Sequence, residues 1–419
     1  MRTRCLLAHP HALRFSHLEV ESGVVLLKAR GATPRPVWYT DNILTRRMRI
    51  LEAVKIFFEN LTLVQRIIAG VVALALVAAL LVVTGILPGL RREVRGPKTV
   101  VTIWGPASEG QAMGAVIKRF EEEYPDYDLV YGTFDDTTYE RELLDKLAGG
   151  AGPDIFFFHS SWRRKHGNKV SPTSSPETIA ALPQLFPQVV ATDFTDARGI
   201  YALPLYIDSL ALYVNRNLLD KRGVTRLPAT WADLRYASRE KNFPVGLGGG
   251  AETTPLVGDI VNLLLLQHGV SPGGGSGESI VSRAAEEALG VYTSFPAPKM
   301  EVVSGFLRGE IGAILGYTAL NSELSARAAG TPWEILPAPQ VDLENPVAQA
   351  SYYGLAVWRG SRQQATAWSV VGLLAGNASL AETYGAASGH PPALRYLIDR
   401  YSEAKGMGVF ARQALIARS

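Results

Sequence analysis

Residues 199–234 read GIYALPLYIDSLALYVNRNLLDKRGVTRLPATWADL, and their reading decides the architecture. The alternation from Tyr201 to Val214, with its Leu, Tyr, Val and Ile content, favours extended strand. A proline followed by a long, nearly uncharged strand that must still accommodate Asp208 points to a strand crossing between two bodies. A carboxylate in such a run has to be paired or hydrogen-bonded if it is buried. Asn215 ends the strand, residues 217–221 make a short helical turn closed by Gly223, and Thr230 is placed to cap a helix from Trp231. Asp233, third in that helix, completes a capping box.

Working outward, residues 99–104 (TVVTIW) alternate as a strand, and a turn with Gly105, Pro106 and Gly110 follows. A helix is expected over 111–124, stopped by Pro125, then a strand over 129–131 and a helix from a Thr138 cap to Leu147. Asp154–Phe158 (DIFFF) reads as a strand covered on both faces. Strand–helix–strand–helix–strand order predicts a parallel sheet with right-handed crossovers. Ser171–Pro187 reads as irregular. Later strands are expected near 243–247, 312–316, 333–336 and 352–357, and helices at 256–268, 283–295, 301–307, 363–375, 380–386 and 394–404.

The chain has 419 residues, enough for two domains and a large core. From Ile67 to Leu87 an uncharged run, IIAGVVALALVAALLVVTGIL, is long enough to cross a bilayer as a helix. Residues 1–66 carry 11 Lys/Arg against 5 Asp/Glu, while residues 99–419 carry 27 against 33. The basic side stays in the cytoplasm, which predicts a single-pass plasma-membrane protein with its large C-terminal body outside, although Arg91, Arg92, Arg95 and Lys98 pull weakly the other way. Residues 88–98 read as a linker and 1–66 as a cytoplasmic segment with little pattern. An uncleaved anchor or a cleaved signal, and a start at Met1 or Met48, stay open. Cys5 is the single cysteine, which rules out an internal disulfide and a thiolate metal site. No basic stripe runs along the body beyond Arg163–Lys169, so nucleic acid is not an expected partner.

From Val100 to about Leu397 the chain resembles the solute-binding proteins of ABC transporters, the family that includes the maltose-binding and other sugar-binding members. The resemblance rests on eight pieces in order: TIWGPASEG; FEEEYPDYDL; GAGPDIFFFHSS; RGIYALPLYIDSLALYVNRNLLD with LPATWADL; FLRGEIGAILGYTAL; EILPAPQ; SYYGLAV; and HPPALRYL. It implies an α/β, two-lobed fold of the type II periplasmic-binding-protein kind, with a ligand cleft and a hinge of chain crossings, preceded by one transmembrane helix. On that pattern lobe one holds about 99–205 and 312–358, and lobe two about 209–308 and 360–419. The implied partners are a small solute, most simply a carbohydrate, and the permease and ATPase of an importer, with a monomeric receptor. WRRKHGNK (162–169) departs from the more apolar helix usual there.

A sugar site needs flat aromatic faces and a few polar groups for hydroxyls. Candidates at strand ends are Trp104, Ser108 and Glu109; His159, Ser160, Ser161 and Trp162; Tyr206 and Asp208; Glu252; Tyr317 and Asn321; and Tyr352 with Tyr353. Tyr317 and Trp162 stand out as turn residues beside small neighbours. Each aromatic also has a reading as core, and Asp208 as a structural cap of a hinge turn. Gly246–Ala251 lacks the later acid of a dinucleotide site, so no cofactor is expected. His159 and His166 are spaced for no metal set. No Gly-x-Ser-x-Gly elbow occurs, and Asp135-Asp136 are adjacent in a turn, so no catalytic residue is assigned. Two other readings are an anchored enzyme acting on envelope glycans and a ligand sensor without transport.

Overall fold

The structure, a computed structural model, describes residues 20–21, 24–25, 62–83, 97–271, 277–327 and 332–419. The chain divides between Val94 and Arg95 into two units. Nearly all of the expected 1–66 segment and linker, the Met48 start and most of residues 272–277 (PGGGSG), whose glycines predict a loop, lie outside the described residues.

In the N-terminal unit Val20–Glu21 pairs with Val24–Val25, and helix α1 spans Leu63–Val83. Its 21 residues rise about 31 Å, close to the ~30 Å hydrocarbon core of a bilayer. Leu63–Leu81 has a mean hydropathy of 2.3 and no buried face. α1 starts four residues before the expected span, and the Gln65 side chain folds back over its first turn: the Thr62 amide and hydroxyl both donate to Gln65 Oε1, at 2.9 and 3.0 Å. The far end of the expected span, to Leu87, is not among the described residues.

The body opens with β1 (Thr99–Pro106), α2 (Gly110–Glu123), β2 (Tyr127–Phe134), α3 (Tyr139–Ala148) and β3 (Ile155–His159). Then come α4 (Pro176–Leu185), β4 (Leu203–Pro204), β5 (Ala211–Asn215), α5 (Trp231–Glu240), α6 (Val257–Gln267) and α7 (Arg283–Thr293). The last part holds β6 (Ala313–Gly316), α8 (Thr318–Arg327), β7 (Trp333–Pro337), β8 (Tyr353–Val357), α9 (Gln364–Gly376), α10 (Ala378–Ser388), α11 (Arg395–Tyr401) and α12 (Met407–Ala414). Two sheets form two α/β lobes. The first has the order β2-β1-β3-β8-β4, with β2, β1 and β3 parallel as expected and β8 antiparallel to both its neighbours. The second is antiparallel, β6-β5-β7.

The run from Gly199 to Asn215 is buried throughout and splits as its proline and acid imply. Leu203–Pro204 edges the first sheet and Ala211–Asn215 is the centre of the second. Within β5 successive residues face opposite cores: Leu212 and Val214 meet Trp231, Leu234 and Leu263, whereas Ala211 and Tyr213 meet Phe306, Ile314 and Phe410. A second segment crosses back beside the first, with Ser209 bridging Ala350 and the Leu210 amide donating to Gln349 O at 3.0 Å. The hinge is therefore a pair of adjacent extended strands.

Several expectations are corrected. β6 and β7 both pair with β5, so residues 313–316 and 333–337 lie on the second sheet and not with the first lobe; a central strand buried on both faces needs a partner along each edge for its backbone groups. Helices α9 to α11 pack on the first core through Val370, Leu374, Leu380 and Leu397, because α9 starts only seven residues after β8 leaves the first sheet. Residues 243–247 make no strand beyond a Val245–Ala313 bridge, since Pro244 has no N–H to donate. Ser171–Pro187 contains α4: Ser175 Oγ accepts from the Thr178 amide at 3.3 Å and Pro176 takes the first helical position. Thr138 precedes α3, but its hydroxyl donates to Glu142 at 2.7 Å and caps no backbone group.

Candidate ligand-binding cleft

β1 and β2 run parallel and end together at Pro106 and Phe134, β3 ends at His159, and antiparallel β8 begins opposite it at Tyr353. The alternation of a strand sends the neighbouring tyrosines opposite ways. Tyr352 is buried and donates from its hydroxyl to Asp193 Oδ2 at 2.7 Å, while Tyr353 is half-buried and meets the edge of His159 at 5.1 Å. Burial, with the charges of Glu109, Asp136 and Glu140, pushes the Tyr353 phenol up to about 12. His159 shares hydrogen bonds with Ser161 Oγ at 2.8 Å and Ser351 Oγ at 3.1 Å. Burial pushes its imidazole down to about 4 against the pull of Glu140, so the ring is neutral near pH 7. Tyr131, at the end of β2, donates to Pro106 O at 2.8 Å.

Behind this rim lies a buried polar hub at the hinge. The Asp208 carboxylate accepts from the amides of Ser209 at 2.8 Å and Thr318 at 3.1 Å, and from the Thr318 hydroxyl at 2.6 Å. Thr318 opens α8, so Asp208 ties the crossing strand to the start of a second-lobe helix. Glu109 accepts from the hydroxyls of Tyr206, at 3.1 Å, and Tyr384. His390 sits between the two acids, with Nδ1 3.3 Å from Asp208 and Nε2 4.0 Å from Glu109. Burial disfavours its charged form, yet the hydrogen bond to Asp208 and the charges of Asp208 and Glu109 raise it above the usual histidine range.

A family model of bacterial extracellular solute-binding proteins matches residues 104–381. The chain belongs to that family. Among solved structures, the sugar-binding protein MalE from the phytopathogen Xanthomonas citri is similar at 18% identity and a TM-score of 0.65, over 76% of this chain and 86% of its own. A Listeria monocytogenes ABC substrate-binding protein in complex with cycloalternan is similar at 18% identity and a TM-score of 0.62, over 76% and 87%. A cyclo/maltodextrin-binding protein complexed with maltotetraose is similar at 16% identity and 0.63, over 78% and 87%. These likenesses concern the fold alone: a two-lobed periplasmic-binding-protein architecture.

In this solute-binding protein the structure gathers His159, Ser161, Tyr353 and Tyr317 at or near the strand ends. It also gathers Glu109, Tyr206 and Asp208, but into the closed hub: all three are at most 4% exposed, and their polar atoms are taken. Asp208 therefore follows its structural reading. Trp162 is 7% exposed and packs on Tyr139 at 6.0 Å beneath Tyr353, because the short helix of residues 163–166 turns it inward. Trp104 lies against Phe134 at 5.3 Å, with Gly132 admitting its ring and the Lys146 ammonium 6.0 Å above it. Ser108 is held by Asp136, Oγ to Oδ1 at 2.7 Å. Ser160 is buried and its amide donates to Tyr352 O. Asn321 accepts from Trp333 Nε1 at 3.2 Å within the second lobe. Glu252 is exposed in a turn and meets none of the others.

Sequence reasoning missed Tyr131, Ser351, Asp259 and His390. His390 carried a signal, as the histidine of the HPP piece, but nothing local pairs it with acids 182 and 281 residues away. Two apolar hollows lie away from the strand ends: about 260 Å³ between α4 and α9, lined by Leu182, Phe186 and Gly372, and about 360 Å³ beside α12, lined by Leu336, Leu343 and Val409.

Proposed function

We propose that this solute-binding protein captures a carbohydrate between its lobes outside the cell and delivers it to an ABC importer. The observation that carries the reading is the rim itself. One aromatic face, Tyr353, stands beside a neutral imidazole whose ring nitrogens meet the hydroxyls of Ser161 and Ser351, at strand ends where open α/β sheets bind ligands. Aromatic faces suit the C–H surface of a sugar and uncharged donors suit its hydroxyls. The relatives' ligands, cycloalternan and maltotetraose, agree with that chemistry.

On this reading α1 anchors the receptor, the body works as a monomer, and its partners are the permease and ATPase subunits. Closure about the paired crossing strands is driven by the solute's higher affinity for the closed form. Capture is favoured over cleavage of envelope glycans because Glu109 and Asp208 are each committed to hydrogen bonds within the protein, which leaves no free carboxylate pair among them to flank a glycosidic bond. The test is a thermal-shift and calorimetric screen of the full chain in detergent against maltose, maltotetraose, other neutral oligosaccharides, peptides and inorganic anions. A true ligand at a hundredfold its Kd adds about 3 kcal/mol of stability. Binding confined to peptides or inorganic anions would overturn the carbohydrate assignment.

A further inference from the structure

A polar row crosses from one lobe to the other: His159 bonds Ser351 on the returning strand, and Ser351 and Asp259 are the polar neighbours of the Tyr317 hydroxyl in the second lobe. That hydroxyl is buried, and no group meets it in hydrogen-bonding geometry. A buried hydroxyl left unpaired is costly, and its commonest explanation is a missing water or ligand. Beside it Asp259, on α6, is partly buried. Burial pushes its carboxyl above the usual range, with the Tyr317 hydroxyl acting the other way. Among the described residues, neither Asp259 nor Asp136, Asp208 or Glu109 pairs with a lysine or arginine; His390, in the hub, is the sole cationic side chain within 4.0 Å of any of them.

We propose that Asp259 and Tyr317 set the charge specificity of the cleft: the Asp259 carboxylate accepts a hydrogen bond from a hydroxyl of the solute, the Tyr317 hydroxyl completes its bonding to the same sugar unit, and the uncompensated acid rejects solutes bearing a carboxylate or phosphate. This rests on the carbohydrate reading above. The attractive element is the Tyr317 hydroxyl beside the Asp259 carboxylate, a donor and an acceptor in a partly desolvated corner, where hydrogen bonds are strengthened. The rejecting element is a like charge with no cation to offset it, the usual route to discrimination between shapes that otherwise fit alike.

Calorimetry on the full chain in detergent, with maltotetraose, cellotetraose and tetragalacturonate as probes, tests it. The wild type is expected to bind a neutral tetrasaccharide at least about tenfold more tightly than the uronate, and Asp259→Asn to weaken the neutral ligand and narrow that gap. Tyr317→Phe removes only the orphan hydroxyl. It is expected to weaken the neutral ligand severalfold while leaving the free protein as stable as the wild type or more so, an outcome that separates recognition from folding. Equal binding of uronate and neutral sugar by the wild type, or unchanged affinities in both variants, overturns the inference and leaves the carbohydrate reading intact. Failure of all three sugars, with a peptide or other non-sugar bound instead, brings down that reading and the inference with it.

Discussion

The imidazole of His390 lies flat on the ring of Tyr206, centroids 4.2 Å and planes 13° apart, and Tyr206 is stacked in turn with Tyr384 at 5.6 Å. The stack holds the imidazole between two buried carboxylates that come from different parts of the chain, Glu109 after β1 and Asp208 in the crossing strand. Removing the ring leaves both acids without a cation. His390→Gln is expected to cost about 3 kcal/mol, as breaking a buried pair does. The folded state raises the histidine above its ordinary value near 6.5, so its contribution is complete below that pH and fades as pH climbs through the raised value. Urea titrations at pH 6 and pH 9 should show the gap between wild type and variant shrinking at the higher pH; a gap that stays constant would remove the charge argument.

His159 moves the other way. Its ring is held neutral, with burial pushing it down to about 4, so its contribution is present above the ordinary value and is lost as pH falls toward 4. A shift of that size corresponds to about 3 kcal/mol at full protonation. Comparing His159→Gln with wild type between pH 7 and pH 4 isolates this group from Asp193, whose carboxyl burial pushes up to about 6. The variant should lose less stability than wild type across that range, and maltotetraose affinity of the wild type should fall over the same window.

Trp162 and Tyr353 sit 6.0 Å apart but serve different ends. Trp162→Ala empties a buried site and should cost about 3 to 5 kcal/mol. Tyr353→Ala truncates a half-buried ring and is expected to cost less stability while weakening sugar binding about tenfold or more. Melting curves and calorimetry on the two variants check this, and equal melting losses with equal affinities would contradict the division.

The capping box at α5 is a purely local feature. The Asp233 amide donates to Thr230 Oγ1 at 3.0 Å, and the Thr230 amide donates to Asp233 Oδ2 at 2.9 Å. Thr230→Ala should cost about 1 kcal/mol and leave solute affinity unchanged.

Much of this was readable without coordinates, for a physical reason. Capping, turn and composition signals act within a few residues, so Thr230 with Asp233, Gly223 at φ +64° and the doubly covered β3 all declare themselves locally. The crossing strand declared itself too, because Asp208 in an apolar run needs partners. Local reading failed where two local rules conflicted, as at Ser175-Pro176, where serine and proline signal a loop in general but a helix start in that order.

The sequence by itself determined an apolar helix long enough for a bilayer, an α/β body in which β1, β2 and β3 run parallel, and a chain that leaves one sheet to enter another. Only the tertiary structure decided which lobe β6 and α9 to α11 join, that Asp208 and Glu109 are spent on a hub closed by His390, and that Tyr317 is left unpaired beside Asp259. Those outcomes depend on contacts between residues tens to hundreds of positions apart, where pairing is set by which surfaces remain to be buried once the local elements have formed.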